Sequence, residues 1–134
     1  MEIDQRLGKK GGGWRGSESE LQIEFVTRAM LFVAEAPEIL LMYAIPNGDW
    51  RGFSVAKKLK AEGLNPGIPD IHVPVARSRY IGLYIEFKRA GGPVKEEQWE
   101  KIHALTEQGH LAILCDSAVV ALKILRKYLK GEIE

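Results

Sequence analysis

The chain has 134 residues, 46% hydrophobic and 28% charged, with a net charge of +1. That is the size and balance of a globular domain with one core, which excludes a disordered chain. No apolar run reaches the roughly 18 residues of a membrane span, and the single cysteine, Cys115, excludes an intrachain disulfide or a zinc site built on several cysteines.

The N-terminus, Met1 to Lys10, is polar and lacks a signal-type apolar stretch, so cytoplasmic expression is expected. Near-neutral charge neither requires nor forbids a nucleic-acid partner, because metal-binding carboxylates can cancel a basic groove. Residues 1–16 carry Arg6, Lys9, Lys10 and Arg15 around Gly11-Gly12-Gly13 and read as a basic arm. It is either a solvated tail or a phosphate-contacting segment. Residues 17–134 read as one domain, without repeats or a later linker.

Ser17-x-x-Glu20 is a capping-box pattern and predicts a helix start, with an apolar run from Leu21 to Ala36 and a stop at Pro37. The apolar run Ile39–Ile45 has the length of a buried strand, and Pro46-Asn47-Gly48 breaks it. Val55–Glu62 predicts a short basic helix closed by Gly63, and Asn65-Pro66-Gly67 a turn. Asp70–Val75 alternates, with Ile71, Val73 and Val75 on one face. Tyr80–Lys88 alternates too: Ile81, Leu83, Ile85 and Phe87 face one way, Tyr84, Glu86 and Lys88 the other. A helix follows Pro93 and ends at Gly109, Leu111–Cys115 is a fourth strand, and Ala118–Leu129 a last amphipathic helix. This order suits an α/β fold, a mixed sheet with helices on both faces.

Chemistry concentrates on one hairpin. A turn centred on Ser78 sets Asp70 directly opposite Glu86, with Lys88 two residues further along the same face. Like charges so placed destabilise a sheet. Either Lys88 neutralises them in a salt-bridged hairpin or a divalent cation does, and hard carboxylate oxygens suit Mg²⁺ or Mn²⁺ rather than Zn²⁺. Gln98 falls on the buried stripe of Val94, Ile102 and Leu105, where a polar amide needs partners: either backbone or the site. Glu20 is either a capping residue or a further site residue, and Glu18 and Glu24 lie close enough to be confused with it. No Walker loop or GxSxG elbow is present, and His72, His103 and His110 are too scattered for a metal triad. Cys115 lies in an apolar strand and reads as core.

Ile68-Pro69-Asp70 followed by Glu86-Phe87-Lys88 resembles the PD-(D/E)xK nuclease signature. With Ser17 to Gln22, Ile45-Pro46-Asn47-Gly48, Leu59 to Asp70, Gly91-Gly92 and Gln98, the ordered set resembles the VRR-NUC domain family over about residues 17–130. The likeness is to stand-alone members of the kind found in bacteriophages and bacteria. It implies a restriction-endonuclease-like mixed sheet with an α-β-β-β-α-β core, and a Mg²⁺- or Mn²⁺-dependent DNA phosphodiesterase. By that resemblance Asp70, Glu86 and the Phe87 carbonyl bind metal, Glu20 completes the site, Lys88 orients water or stabilises phosphate charge, and Gln98 braces the lysine or water.

The expected function is a structure-selective endonuclease acting on branched DNA such as Holliday junctions. The alternatives are a flap or single-strand nuclease and a non-catalytic DNA-binding module. Asn47, Arg51, Lys57, Lys58 and Lys60, with Arg89 and Lys95 after the motif, are the expected DNA path. The two-fold symmetry of a junction points to a homodimer. Trp14, Trp50 and Phe53 are candidate interface residues, unless they pack over the sheet edge or line the DNA groove.

Overall fold

A computed structural model describes residues 17–46 and 52–134. The 1–16 arm, Asn47, Arg51, Trp14 and Trp50 lie outside the described residues, as does the side chain of Phe53. In chain order the elements are α1 (Glu18–Met30), β1 (Tyr43–Ala44), α2 (Phe53–Ala61), β2 (Ile71–Val73), β3 (Leu83–Phe87), α3 (Glu96–Glu107), β4 (Leu111–Cys115) and α4 (Ala118–Leu129). The four strands lie side by side in the order β1-β2-β3-β4. The first two pairings are antiparallel, and β3 runs parallel to β4 with α3 as the crossover. This is the expected mixed α/β sheet.

Its two faces are covered unequally. On one, α1 packs against α4 and β3, and α4 against β4. Leu21, Phe25 and Ala29, spaced four apart along α1, are fully buried there with Ile71, Val73, Leu83, Ile85, Phe87 and Ile113. Phe25 meets Phe87 ring to ring at 5.3 Å. On the other face α3 packs against β4. Alternation along β3 therefore sends Phe87 into the core and leaves Glu86 on the α3 side.

The capping box forms: Ser17 Oγ accepts the Glu20 N–H at 3.0 Å, and Glu20 Oε2 accepts the Ser17 N–H at 3.4 Å. The first helix is shorter than expected. It ends at Met30, and the chain tightens into three-residue hydrogen bonds from Leu31 to Arg28 and Phe32 to Ala29. Arg126 of α4 reaches this segment, its guanidinium 4.0 Å over the Phe32 ring and paired with both Glu35 oxygens.

The run Ile39–Ile45 is not the buried strand expected. Pro37 presets a 3-10 turn over Pro37–Leu41, and only two residues pair as β1 at the sheet edge. Ile39 is buried, whereas Leu40 and Leu41 are 63% and 57% exposed. Apolar run length alone does not distinguish a buried strand from an edge.

The expected hairpin register holds through the strands: Ile71 faces Ile85, His72 Tyr84, and Val73 Leu83. The turn differs in detail. Arg77 pairs with Tyr80, with Ser78 at φ 51°, so residues 74–76 lie against 81–82 and one residue bulges. Val75 folds back onto the Val73 carbonyl, and Ile81, expected on the same face as Leu83 and Ile85, is 56% exposed whereas they are buried.

Tyr128, buried on α4, donates to the Val75 carbonyl at 2.6 Å and so ties the bulged strand to the core. Tyr128→Phe deletes that bond without a cavity. The expected loss is about 1–3 kcal/mol of unfolding free energy, read as a lower urea midpoint at unchanged slope.

Candidate functional site

Three chain segments meet at the carboxy-terminal end of β3. Asp70 stands just before β2, and its backbone is anchored by the Ile45 N–H, which donates to the Asp70 carbonyl at 2.8 Å. Its side chain is fixed by the next strand, since Oδ2 accepts the Phe87 N–H at 2.8 Å. Glu86 and Lys88 are 4% and 6% exposed, which is unusual for charged residues. Lys88 is held by its own N–H, which donates to the Cys115 carbonyl of β4 at 2.9 Å.

Gln98 supplies the link to α3. Its Oε1 accepts the Lys95 N–H at the helix start, at 3.0 Å, and its Nε2 donates to Glu86 Oε1 at 2.8 Å. The amide is thus oriented by the helix terminus and spends its donor on the acid. The resemblance set it against the lysine or a water; in the structure it braces Glu86.

Lys88 Nζ lies 3.8 Å from Glu86 Oε1 and 3.8 Å from Glu18 Oε1. The third acidic residue at this group is therefore Glu18. Glu20, expected there, turns its carboxylate to the Ser17 N–H and is exposed. The two lie two positions apart on α1, about 200° around the helix, so they point in nearly opposite directions.

A glycine sets the approach of the loop to the helix. Asn65-Pro66-Gly67-Ile68 is a turn with Gly67 at φ +88°, closed by Ile68 N–H to the Asn65 carbonyl. A Cβ on Gly67 would stand 2.9 Å from the Glu97 carbonyl oxygen on α3. Bare backbone here lets the segment carrying Asp70 lie against the turn carrying Gln98. The sequence marked this as a turn but gave no sign of the helix it touches.

Electrostatically the site is overloaded with acid. Burial pushes Glu86 up to about 9, with the neighbouring Asp70 adding to the rise and Lys88 opposing it. Burial also raises Asp70, against the lowering effect of the Phe87 N–H. The charge on Asp70 disfavours an ionised Glu86, so without further positive charge the pair keeps a proton. One lysine does not neutralise both acids.

That donor set fits a hard divalent cation: two carboxylates side by side, with the Phe87 main-chain carbonyl next in the chain. Among the described residues no three His, Cys, Asp or Glu side chains gather to hold a metal. Mg²⁺ commonly uses one or two carboxylates and keeps several waters. Of the expected DNA-path residues, Lys57 and Lys60 are exposed on α2. Lys58, also exposed there, stands 3.8 Å from Glu62. Arg89 and Lys95 are exposed beside Lys88 and at the start of α3.

Comparison with known proteins gives the same outline. The sequence model of the VRR-NUC domain family matches residues 39–119, more than half of the chain. A solved structure described as a VRR_NUC domain protein superposes with a TM-score of 0.70 at 23% identity, covering 87% of this chain and 90% of that one. No curated protein matches the chain.

The raised Glu86 has a sign that can be tested. Unfolded, the group titrates near 4.5; folded and cation-free, near 9. The folded protein therefore holds a proton that the unfolded chain has released, and its stability falls as pH rises from about 4.5 to about 9. Glu86→Gln removes the titration. In cation-free thermal melts the variant should show a much weaker decline than wild type across this window, and a higher Tm at pH 8.

Proposed function

The chain belongs to the VRR-NUC domain family, with a nuclease-type fold for processing DNA, and we propose that it is a Mg²⁺- or Mn²⁺-dependent DNA endonuclease. The observation that carries this reading is the pair of half-buried Asp70 and buried Glu86, with Lys88 alongside and Gln98 on Glu86. When bound, the cation would supply a water of lowered pKa and charge compensation at a phosphoryl oxygen.

The protein's own groups divide the remaining work. Asp70 and Glu86 hold the cation through oxygen, and Gln98 and the Phe87 N–H keep their carboxylates in place. Lys88 presents a compact charge beside them, suited to a phosphate oxygen or to orienting the attacking water. Glu18, paired with Lys88, is the α1 residue in reach of the site and takes the part the resemblance gave to Glu20. Arg89, Lys95 and the α2 lysines 57 and 60 contact the DNA backbone.

Branched DNA such as a Holliday junction is the preferred substrate in this reading, cut by a homodimer whose two sites match two symmetry-related phosphates. No helix among the described residues is long and apolar enough to cross a membrane.

The test is cleavage of a panel of branched, flap, single-stranded and duplex DNAs with Mg²⁺ or Mn²⁺. Asp70→Asn and Glu86→Ala should abolish cleavage while DNA binding stays measurable, and EDTA should stop the wild type. Lys88→Ala should keep cation binding and lose about 10²–10³-fold in turnover, as when a charge-stabilising group is removed. Cleavage that survives EDTA or Glu86→Ala contradicts the mechanism. A protein that stays monomeric on junction DNA, by light scattering, contradicts the paired cutting and favours a flap or single-strand substrate.

A further inference from the structure

Two histidines unused by the site above converge on one point of the sheet. His72 on β2 stacks on Tyr84 of β3 at 4.3 Å, and its Nδ1 lies 2.7 Å from Tyr43 Oη. His110, at the entry to β4, packs edge-on to Tyr84 at 5.0 Å, and its ring centre lies 6.3 Å from that of His72. His110 Nδ1 is buried and has no hydrogen-bond partner among the described residues. Such an atom is costly unless something meets it.

Between the rings stands Gly82. A Cβ there would lie 3.0 Å from His110 Nδ1, 3.4 Å from His72 Nε2 and 3.4 Å from the Val73 carbonyl oxygen. Two imidazole nitrogens and a carbonyl oxygen thus ring a space that exists because residue 82 has no side chain. The Val73 oxygen accepts the Val75 N–H, so the two imidazole nitrogens are the donors left to an ion.

We propose that this space over Gly82 is a second metal site, for a transition-metal ion of the Zn²⁺, Ni²⁺ or Cu²⁺ class, with His72 and His110 as ligands. Imidazole nitrogens favour these ions, and the site contains no carboxylate to favour Mg²⁺. In the ligating tautomer His72 Nδ1–H donates to Tyr43 Oη, which turns the Nε2 lone pair toward Gly82; such a partner on the other ring nitrogen is the usual support of a metal-bound histidine. Water completes the coordination. The ion bridges β2 to the start of β4 across β3 and so acts as a staple on the sheet, two residues along β2 from Asp70. This site does not depend on the nuclease reading.

The test uses untagged full-length protein and Zn²⁺ as the probe, in an Asp70→Asn, Glu86→Gln background that removes the acid pair as a competing site. Calorimetry should show one Zn²⁺ bound, and His110→Ala and Gly82→Ala should each weaken it at least tenfold. Bound Zn²⁺ should raise Tm by roughly 5–10 °C at about 100 times Kd. Side-chain ¹⁵N spectra of the protein with both histidines should show His72 Nε2 and His110 Nδ1 shifting together, a readout independent of how the variants fold. Zn²⁺ that fails to bind in this background, or binds without moving those two nitrogens, overturns the site.

Discussion

Everything at the functional end of this molecule depends on two carboxylates being held side by side, Glu86 buried and Asp70 half-buried. Asp70 and Glu86 face each other because the hairpin register is locked by its buried side. Ile71, Val73, Leu83 and Ile85 must all point into the core, and a slip by one residue would expose them all. Hydrophobic burial thus enforces an electrostatically unfavourable contact. The neighbouring groups mitigate it without cancelling it: the Phe87 N–H on Asp70, the Gln98 amide on Glu86, and Lys88 at 3.8 Å. The remaining negative charge is what a bound cation would offset in the proposed reading.

The scaffold explains the precision. Phe87 serves both layers, its ring against Phe25 in the core and its amide on the Asp70 carboxylate. Parallel pairing with β4 extends one residue past β3 to fix the backbone of Lys88. The first turn of α3 delivers Gln98, and the bare backbone at Gly67 lets the Asp70 segment approach that turn. A side chain displaced at any of these contacts would separate groups that work only when they are close.

Much of this was legible in the sequence because it follows from period-two alternation. The faces of Asp70, Glu86 and Lys88, the register of Ile71 with Ile85, and the limits of Leu111–Cys115 and Ala118–Leu129 all come from simple patterning. What alternation cannot carry was misread. Ile39–Ile45 has the composition of a buried strand but lies at the edge, since burial there is decided by what covers the chain. Local pattern leaves Glu20 as either helix cap or site residue, with Glu18 close by; in the structure Glu20 caps the helix and Glu18 faces Lys88. Gln98 stood on the right stripe, but its partner lies across the fold and no local pattern names it.

The central claim is that the Asp70–Glu86 pair is an acid site completed by a cation, and the titration of the Glu86 carboxyl tests it most directly. Followed by carboxyl ¹³C NMR in cation-free protein, Glu86 should have its midpoint near 9. With saturating Mg²⁺ the midpoint should fall well below neutrality, because the cation replaces the shared proton. A midpoint at the ordinary 4.5 without cation, or one that Mg²⁺ leaves unmoved, would contradict the account.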